Sequence, residues 1–318
     1  MFKIGIYSFE QLAGTRIELM HRYLRRAYYI GLYEEAGRLD GEMGRKLEEK
    51  ILSGFTVVNG VFKRTSRERM GQFDDATLAA AKNLSYRKPL VVHDMAVSDG
   101  RTACDFFLKL SVAFDNCVEF YATDLALKVT AVKQCRNRMI VVVDGNNNIL
   151  QLVCPPFVLP MRAIESWLFP INRILRIVLM RMAAKRIVRQ HQLGDQKLEC
   201  RELSLICCEA RTLLASRSNF HLYEYDVFGQ APRRYGLVRA MNIFNLSYFP
   251  PNTIKRALSN VFASLDEGGL FAVGSNGEAG STVDGGIYQK RGGSCSSRYS
   301  SGNGAEIDEL VRQTNQNM

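Results

Sequence analysis

Several features are missing from this 318-residue sequence, and each absence narrows what the chain does. The eight cysteines include no Cys-x-x-Cys pair, and only Cys207 and Cys208 are adjacent. Neither a zinc ligand set nor a disulfide framework is indicated, and no metal is expected. Reduced, structural cysteines in a cytoplasmic protein are the expectation. Met1 to Glu10 carries one lysine and then an acid after a short apolar stretch. It lacks the basic and hydrophobic regions of a secretory signal, so export is not expected. The most apolar run, Ile149 to Met161, is 13 residues long and holds Pro155, Pro156 and Pro160, whereas a spanning helix needs about 20 apolar residues. Neither Gly-x-Gly-x-x-Gly nor Gly-x-x-x-x-Gly-Lys-Ser/Thr occurs, so tight cradling of a diphosphate or triphosphate is not advertised. No internal repeat is visible.

What is present is apolar sequence enough for a substantial core, 47% of the chain, and a net charge of +10. The length fits one elaborated α/β domain or one domain with an appendage. The charge favours an anionic partner, whether nucleic acid, a phospholipid surface or an acidic substrate.

Residues 11 to 52 are rich in helix formers, and Met20, Tyr23, Leu24, Ala27 and Ile30 recur at helical spacing beside Arg22, Arg25 and Arg26. Residues 1 to 88 are therefore expected to form a helical amino-terminal region. Tyrosines among arginines suit base stacking, but an amphipathic helix packed on the domain with its arginines solvated is the preferred reading.

From Pro89 the pattern changes. Leu90 to Val92, Asp94 and a loop, then Thr102 to Leu110 read as strand, turn and helix; Val118 to Thr123, Asp124 and Leu125 to Cys135 repeat the unit. Such alternation implies parallel strands joined by helical crossovers. It is interrupted by an insertion, residues 136 to 200. There Met139 to Val143, the turn Asp144 to Asn148 and Ile149 to Val153 predict a β-hairpin. A proline-punctuated apolar run, Trp167 and a stretch from Ile171 to Gln190 follow, the last with six Lys or Arg and no acid. Ile171, Ile174, Leu175, Val178 and Met182 trace one helical face. Three readings of residues 149 to 190 stand: a lid over a substrate pocket, a segment lying in an anionic membrane interface, and a nucleic-acid patch.

The alternation resumes with Leu203 to Cys207 as a strand, Glu209 to Ala215 as a helix and Phe220 to Tyr225 as a strand ending at Asp226. Leu237 to Ala240 and Leu270 to Val273 are two further strands. Thr253 to Leu265 between them is a helix, with Gly268 and Gly269 expected to close it. Residues 274 to 304 hold nine glycines and seven serines. They read as a hairpin, Ile287 to Lys290 and Ser297 to Tyr299 around Gly292 and Gly293, before a last helix from Ala305 to Arg312. The main domain is thus expected over 89 to 318.

Chemistry is concentrated at Asp94-Met-Ala-Val-Ser-Asp-Gly-Arg-Thr102, where a strand delivers the chain to a helix through small residues and backbone N–H groups can approach a ligand. Asp124 lies 24 residues beyond Gly100 at the end of the next strand. A carboxylate there suits the two hydroxyls of a ribose, or caps the helix that follows.

The order of Val91-Val-His-Asp-Met-Ala-Val-Ser-Asp-Gly-Arg-Thr, Tyr121-Ala-Thr-Asp-Leu-Ala and Glu224-Tyr-Asp-Val-Phe resembles class I, Rossmann-like S-adenosylmethionine-dependent methyltransferases. So do Val238 to Phe249 and Leu265 to Gly274, and the chemotaxis-receptor enzymes are the nearest flavour. The resemblance covers roughly residues 89 to 135 and 200 to 300, and implies an α/β fold with a mostly parallel sheet and an antiparallel carboxyl-terminal hairpin. It implies S-adenosylmethionine as cofactor and S-adenosylhomocysteine as product. Asp94 and the loop of Ala96, Ser98, Asp99 and Gly100 would face the methionine portion, Asp124 the ribose, Asp226 and Val227 the adenine edge, and Asn242 would lie beside the sulfonium. Thr102 and Leu125 are further cofactor-binding candidates. The usual Asp-x-Gly-x-Gly-x-Gly is here Asp-Met-Ala-Val-Ser-Asp-Gly, with one glycine.

Methyl transfer asks a protein chiefly to align the nucleophile and exclude water. Where the acceptor is a hydroxyl or a protonated amine a base helps, and Tyr248, Asn245 and His221 are the candidates. The acceptor, whether small molecule, lipid or protein side chain, is open. A non-catalytic binding or scaffold protein of the same fold and a nicotinamide-dependent oxidoreductase are the alternatives. His93, inside an apolar strand, is given no role.

Overall fold

The computed structural model describes residues 4–13, 26–39, 41–57, 70–84, 89–134, 138–161, 169–277 and 282–315. Met20, Arg22, Tyr23, Leu24, Arg25, Cys135 and Trp167 lie outside the described residues. The chain begins with β1 (Ile4–Ile6), α1 (Phe9–Ala13), β2 (Arg26–Tyr28), α2 (Tyr33–Ala36) and α3 (Gly41–Ser53). Next come α4 (Gly71–Lys82), β3 (Leu90–Met95), α5 (Arg101–Ala113) and β4 (Val118–Asp124). Then follow β5 (Lys128–Gln134), β6 (Ile140–Val143), β7 (Ile149–Cys154), β8 (Phe157–Pro160), α6 (Pro170–Leu179), α7 (Lys185–Gln192) and β9 (Leu198–Ser204). The remainder is α8 (Cys208–Ser216), β10 (Phe220–Glu224), β11 (Tyr235–Met241), α9 (Pro251–Ser264), β12 (Leu265–Asn276), β13 (Val283–Arg291), β14 (Ser294–Ser301) and α10 (Asp308–Asn315). These elements form two compact units, each assembled from two stretches of chain: residues 1–65 with 126–208, and residues 66–125 with 209–318. The insertion expected over 136 to 200 falls within the first unit; α4, in the region expected as amino-terminal, falls within the second.

The second unit is built on a seven-stranded sheet in the order β10-β4-β3-β11-β12-β13-β14. The first five strands are parallel and the last two antiparallel. This is the α/β class expected, with its carboxyl-terminal hairpin. Gly292 and Gly293, at φ 57° and 82°, make the β13–β14 turn, which demands positive φ at both positions. Every residue of β11 is buried, as in a central parallel strand covered on both faces. On one face Phe107 of α5 packs against Phe120 and Phe220, with ring centroids 5.5 and 5.0 Å apart. On the other, Ile254, Ala257, Leu258 and Val261 of α9 join Val238, Ala240 and Phe271 in one core. No helix joins β10 to β11; residues 225–234 cross as a loop.

The first unit holds a five-stranded antiparallel sheet in the order β8-β7-β6-β5-β9. One face packs on α2 and α3 through Val129, Ala131, Val142 and Leu203. The other carries Val132, Val141, Val143 and Leu152 to Leu175, Leu179, Ile187 and Val188 of α6 and α7, which a π-helical turn, Met180–Ala184, joins. The expected β6–β7 hairpin is present, its turn held by Asp144, whose Oδ1 accepts from the N–H groups of Asn146 and Asn148 at 2.9 and 2.8 Å. Gln151 ties the amino-terminal stretch to this sheet, accepting from Ile30 N–H at 3.1 Å and donating to Tyr28 O at 2.9 Å.

Four expectations are corrected. Leu125 to Cys135, expected as a helix, contains β5, where β-branched Val129, Thr130 and Val132 pair with β6 and β9. The strand expected at Leu203 to Cys207 is β9, which starts at Leu198 and runs antiparallel to β5 in the first unit. Ala27, expected on a helix, lies in β2 and pairs with β1. Gly268 and Gly269 do not close α9, which stops at Ser264; they lie in β12, with Gly268 at φ 80° in the irregular stretch between Leu265 and Leu270.

Candidate active site

Four parallel strands, β10, β4, β3 and β11, lie side by side in the second unit, so their carboxyl ends line one edge of the sheet. Strand order reverses between β3 and β11, and ligands of open α/β sheets bind outside the carboxyl ends at such a reversal. Asp226 follows β10, Asp124 ends β4, the loop from Ala96 to Gly100 follows β3, and Asn242 follows β11.

The loop is tightly bent. Ala96, Ser98 and Gly100 have φ of 57°, 62° and 84°. The left-handed conformation costs Ala and Ser roughly 1–2 kcal/mol each, and such strain concentrates at ligand sites. Two backbone donors hold the bend: Val97 N–H to Thr123 O at 3.0 Å and Ser98 N–H to Asp124 Oδ2 at 2.7 Å. Asp124 is therefore joined to the loop it was paired with on spacing. Tyr225 N–H donates to Asp124 O at 2.9 Å, which sets the start of the Asp226 turn beside it. Asp226 in turn accepts from Phe228 N–H at 3.0 Å.

The other candidates differ in burial and in the contacts they make. Asp99 and Arg101 are each 1% exposed, and Asp99 accepts from Arg101 N–H at 3.1 Å, so this carboxylate shapes the first turn of α5. Val227 is buried in the α9 core, Leu125 is exposed, and Thr102 is half-buried. Asn242, at φ 58°, accepts on Oδ1 from Asn276 N–H at 3.0 Å and bridges the ends of β11 and β12. Asn245 and Tyr248 lie on the segment after β11; Asn245 Oδ1 accepts from Ser247 N–H at 2.7 Å and Tyr248 is exposed. His221 sits near the amino end of β10, pairs with Glu119, and stacks on Tyr121 at 4.6 Å. It is not on the carboxyl edge.

Asp94 is fully buried, and its Oδ2 accepts from Arg239 at 2.8 Å. The same guanidinium donates to Asp74 Oδ1 at 3.0 Å and lies 4.7 Å from the Phe106 ring centroid. Burial pushes Asp74 up to about 6, with Arg239 opposing and Asp94 adding to the rise; Asp94 is raised by burial as well. Sequence reasoning missed this triad. Its signal was an arginine in the apolar strand Leu237-Val-Arg-Ala-Met241.

His93 donates or accepts at Thr123 Oγ1, 2.9 Å away, between the rings of Tyr225 and Tyr235. Burial pushes it down to about 3, so it is neutral. Among the described residues no group of three or more His, Cys, Asp or Glu is placed to hold a metal. The edge thus offers two carboxylates on adjacent strands beside a strained loop opening a helix, an arrangement suited to a nucleoside.

No family model matches this chain, and no curated protein matches it. Among solved structures it is similar to the glycopeptide N-methyltransferase MtfA complexed with sinefungin, at 12% identity over 64% of this chain and 52% of that chain, with a TM-score of 0.29. An S-adenosylmethionine-dependent methyltransferase from Clostridium acetobutylicum ATCC 824 shares 10% identity over 79% and 80% of the two chains, with a TM-score of 0.34. TrmN from Thermus thermophilus shares 13% over 70% and 45%, at 0.30. The chain spans about half the length of the first of these. Likeness at this level carries no functional weight, which rests instead on strand order and loop geometry.

Proposed function

We propose that the second unit binds S-adenosylmethionine at the carboxyl edge of its sheet and passes the methyl group to an acceptor that approaches the same edge. The observation that carries this is the hydrogen bond from Ser98 to Asp124, which couples a left-handed strand-to-helix loop to the carboxylate ending the neighbouring strand. Asp124 would accept from the ribose hydroxyls, and Asp226 with Val227 would border the adenine. The backbone from Ala96 to Gly100 and the start of α5 would meet the methionine end, and Asn242 would flank the sulfur. When bound, the cofactor supplies a carbon already activated by sulfonium charge, so the chain need only orient the acceptor and exclude water. Of the three bases considered, Tyr248 and Asn245 follow a strand end that borders the site, and His221 does not.

Calorimetry with S-adenosylmethionine, S-adenosylhomocysteine and NAD tests this. Both sulfur nucleosides are expected to bind and NAD not to. Asp124→Ala should weaken binding at least about tenfold, the 1.4 kcal/mol of one lost charge-assisted hydrogen bond. Absence of binding by either sulfur nucleoside sinks the proposal.

A second reading, binding without catalysis, is favoured by the burial of Asp94 against Arg239, which withdraws that carboxylate from the methionine end. Transfer of labelled methyl to any fraction of a cell extract excludes it; tight product binding with no transfer supports it.

A further inference from the structure

The basic character of the chain is confined to one unit. Residues 1–65 and 126–208 hold 24 Lys and Arg against 13 Asp and Glu, net +11; the other unit holds 18 against 19, net −1. Within the basic unit, the stretch from α6 through α7 carries Arg173, Arg176, Arg181, Lys185, Arg186 and Arg189, and no acid. Its inner face is accounted for by Leu175, Leu179, Ile187 and Val188 on the antiparallel sheet. Its outer face is not wholly polar. Ile171, Ile174, Val178 and Met182 are 45, 61, 41 and 75% exposed. Their spacing puts them on one stripe, which continues into exposed Lys185, Arg186 and Arg189.

An outward stripe of isoleucine, valine and methionine marks a contact surface, and the cations choose the partner. Nucleic acid would neutralise the arginines and leave the isoleucines in water. A second copy about a two-fold axis would set six cations against six. An anionic bilayer surface satisfies both halves, with phosphates for the cations and the acyl boundary for the apolar stripe.

We infer that α6 and α7 dock on an anionic phospholipid surface. Ile171, Ile174, Val178 and Met182 enter the acyl boundary, while Arg181, Lys185, Arg186 and Arg189 meet the phosphates. Among the described residues no helix is long and apolar enough to cross a membrane, so this contact is peripheral. A cavity of about 670 Å³, lined in part by Lys185, Arg189, Asn147, Asn148 and Met180, opens beside the same cations.

The test is co-sedimentation of the full chain with vesicles of phosphatidylcholine alone or mixed with phosphatidylserine. Sedimentation is expected with the mixed vesicles only. Replacing Lys185, Arg186 and Arg189 by Gln should lower partitioning on the order of 100-fold, since each cation near such a surface is worth a factor of about five. Ile174→Asp with Val178→Asp should abolish it with no change in circular dichroism, since both side chains are exposed. Failure to sediment with the mixed vesicles overturns the inference. So does sedimentation of the aspartate variant at the wild-type level, which would reduce the contact to charge alone. Displacement of vesicles by single-stranded RNA at equal affinity, or a dimer lost in the aspartate variant, would reassign the surface to nucleic acid or to a second copy.

Discussion

Arg239 stands in the middle of a wholly buried strand with Asp74 and Asp94 on its guanidinium. Arg239→Met leaves two buried carboxylates without a counter-charge, and removal of one partner of a buried pair costs about 3–5 kcal/mol. Urea denaturation should show that loss, and Asp74→Asn with Asp94→Asn added to Arg239→Met should recover part of it, because neutral amides are cheaper to bury than charges. His93 makes stability depend on pH. Its folded value, about 3, lies below the unfolded 6.5, so the neutral form is favoured by folding. The contribution is complete above 6.5 and is lost as pH falls toward 3. Between pH 7 and pH 5 the loss is about 2 kcal/mol. Asp74 works the other way: raised from 3.8 to about 6, it contributes fully below 3.8 and loses that contribution as pH rises through 6. Comparing wild type with His93→Gln isolates the histidine; a variant whose stability falls as steeply on acidification shows that His93 is not the cause.

At the scale of elements, α4 is pinned to β13 at Gly285, where an added Cβ would stand 2.7 Å from the Phe73 ring. Gly285→Ala is expected to cost about 1–3 kcal/mol through this overpacking, read as a lowered melting temperature. Gly145, at the tip of the β6–β7 hairpin, has nothing within 4 Å of its would-be Cβ, and Gly145→Ala should stay within about 0.5 kcal/mol. Most of the second unit was legible in sequence, because its strands are continuous apolar runs separated by glycine, proline and capping residues. The alternation of Leu90–Met95, Val118–Asp124 and Tyr235–Met241 with helices left few topologies open. What escaped was long-range. Lys128–Gln134 has the residues of a strand, but after β4, where a crossover helix is the usual sequel, no local sign shows that β6 and β9 will flank it. The site was legible as an order of strand ends. The direction of Asp94 was not, since its partner Arg239 lies 145 positions away. Likewise the face Ile171, Ile174, Leu175, Val178 and Met182, periodic enough for a core stripe, sends only Leu175 into the core.

For the molecule as a whole, the net positive charge falls in the first unit, and the second is close to neutral. Ligand binding stabilises what it touches. Hydrogen exchange with saturating S-adenosylhomocysteine is therefore expected to slow amides in 89–125 and 209–277, and mixed vesicles to slow those in 170–192. Equal slowing of both regions by either ligand would show that the two activities do not divide as the units do. The interleaving of the two stretches in each unit also has a kinetic consequence. Glu119 meets His221 across 102 positions, and Glu34 meets Ser204 across 170. Neither core closes until chain beyond residue 200 is available, because Leu203 belongs with Ile30 and Phe220 with Phe107. At ordinary synthesis rates the insertion alone takes on the order of ten seconds to emerge, and through that interval the outer edge of β4 is unpaired. An open parallel edge is a template for the wrong strand. The edge of β4 therefore stays open to mispairing until β10 has been made.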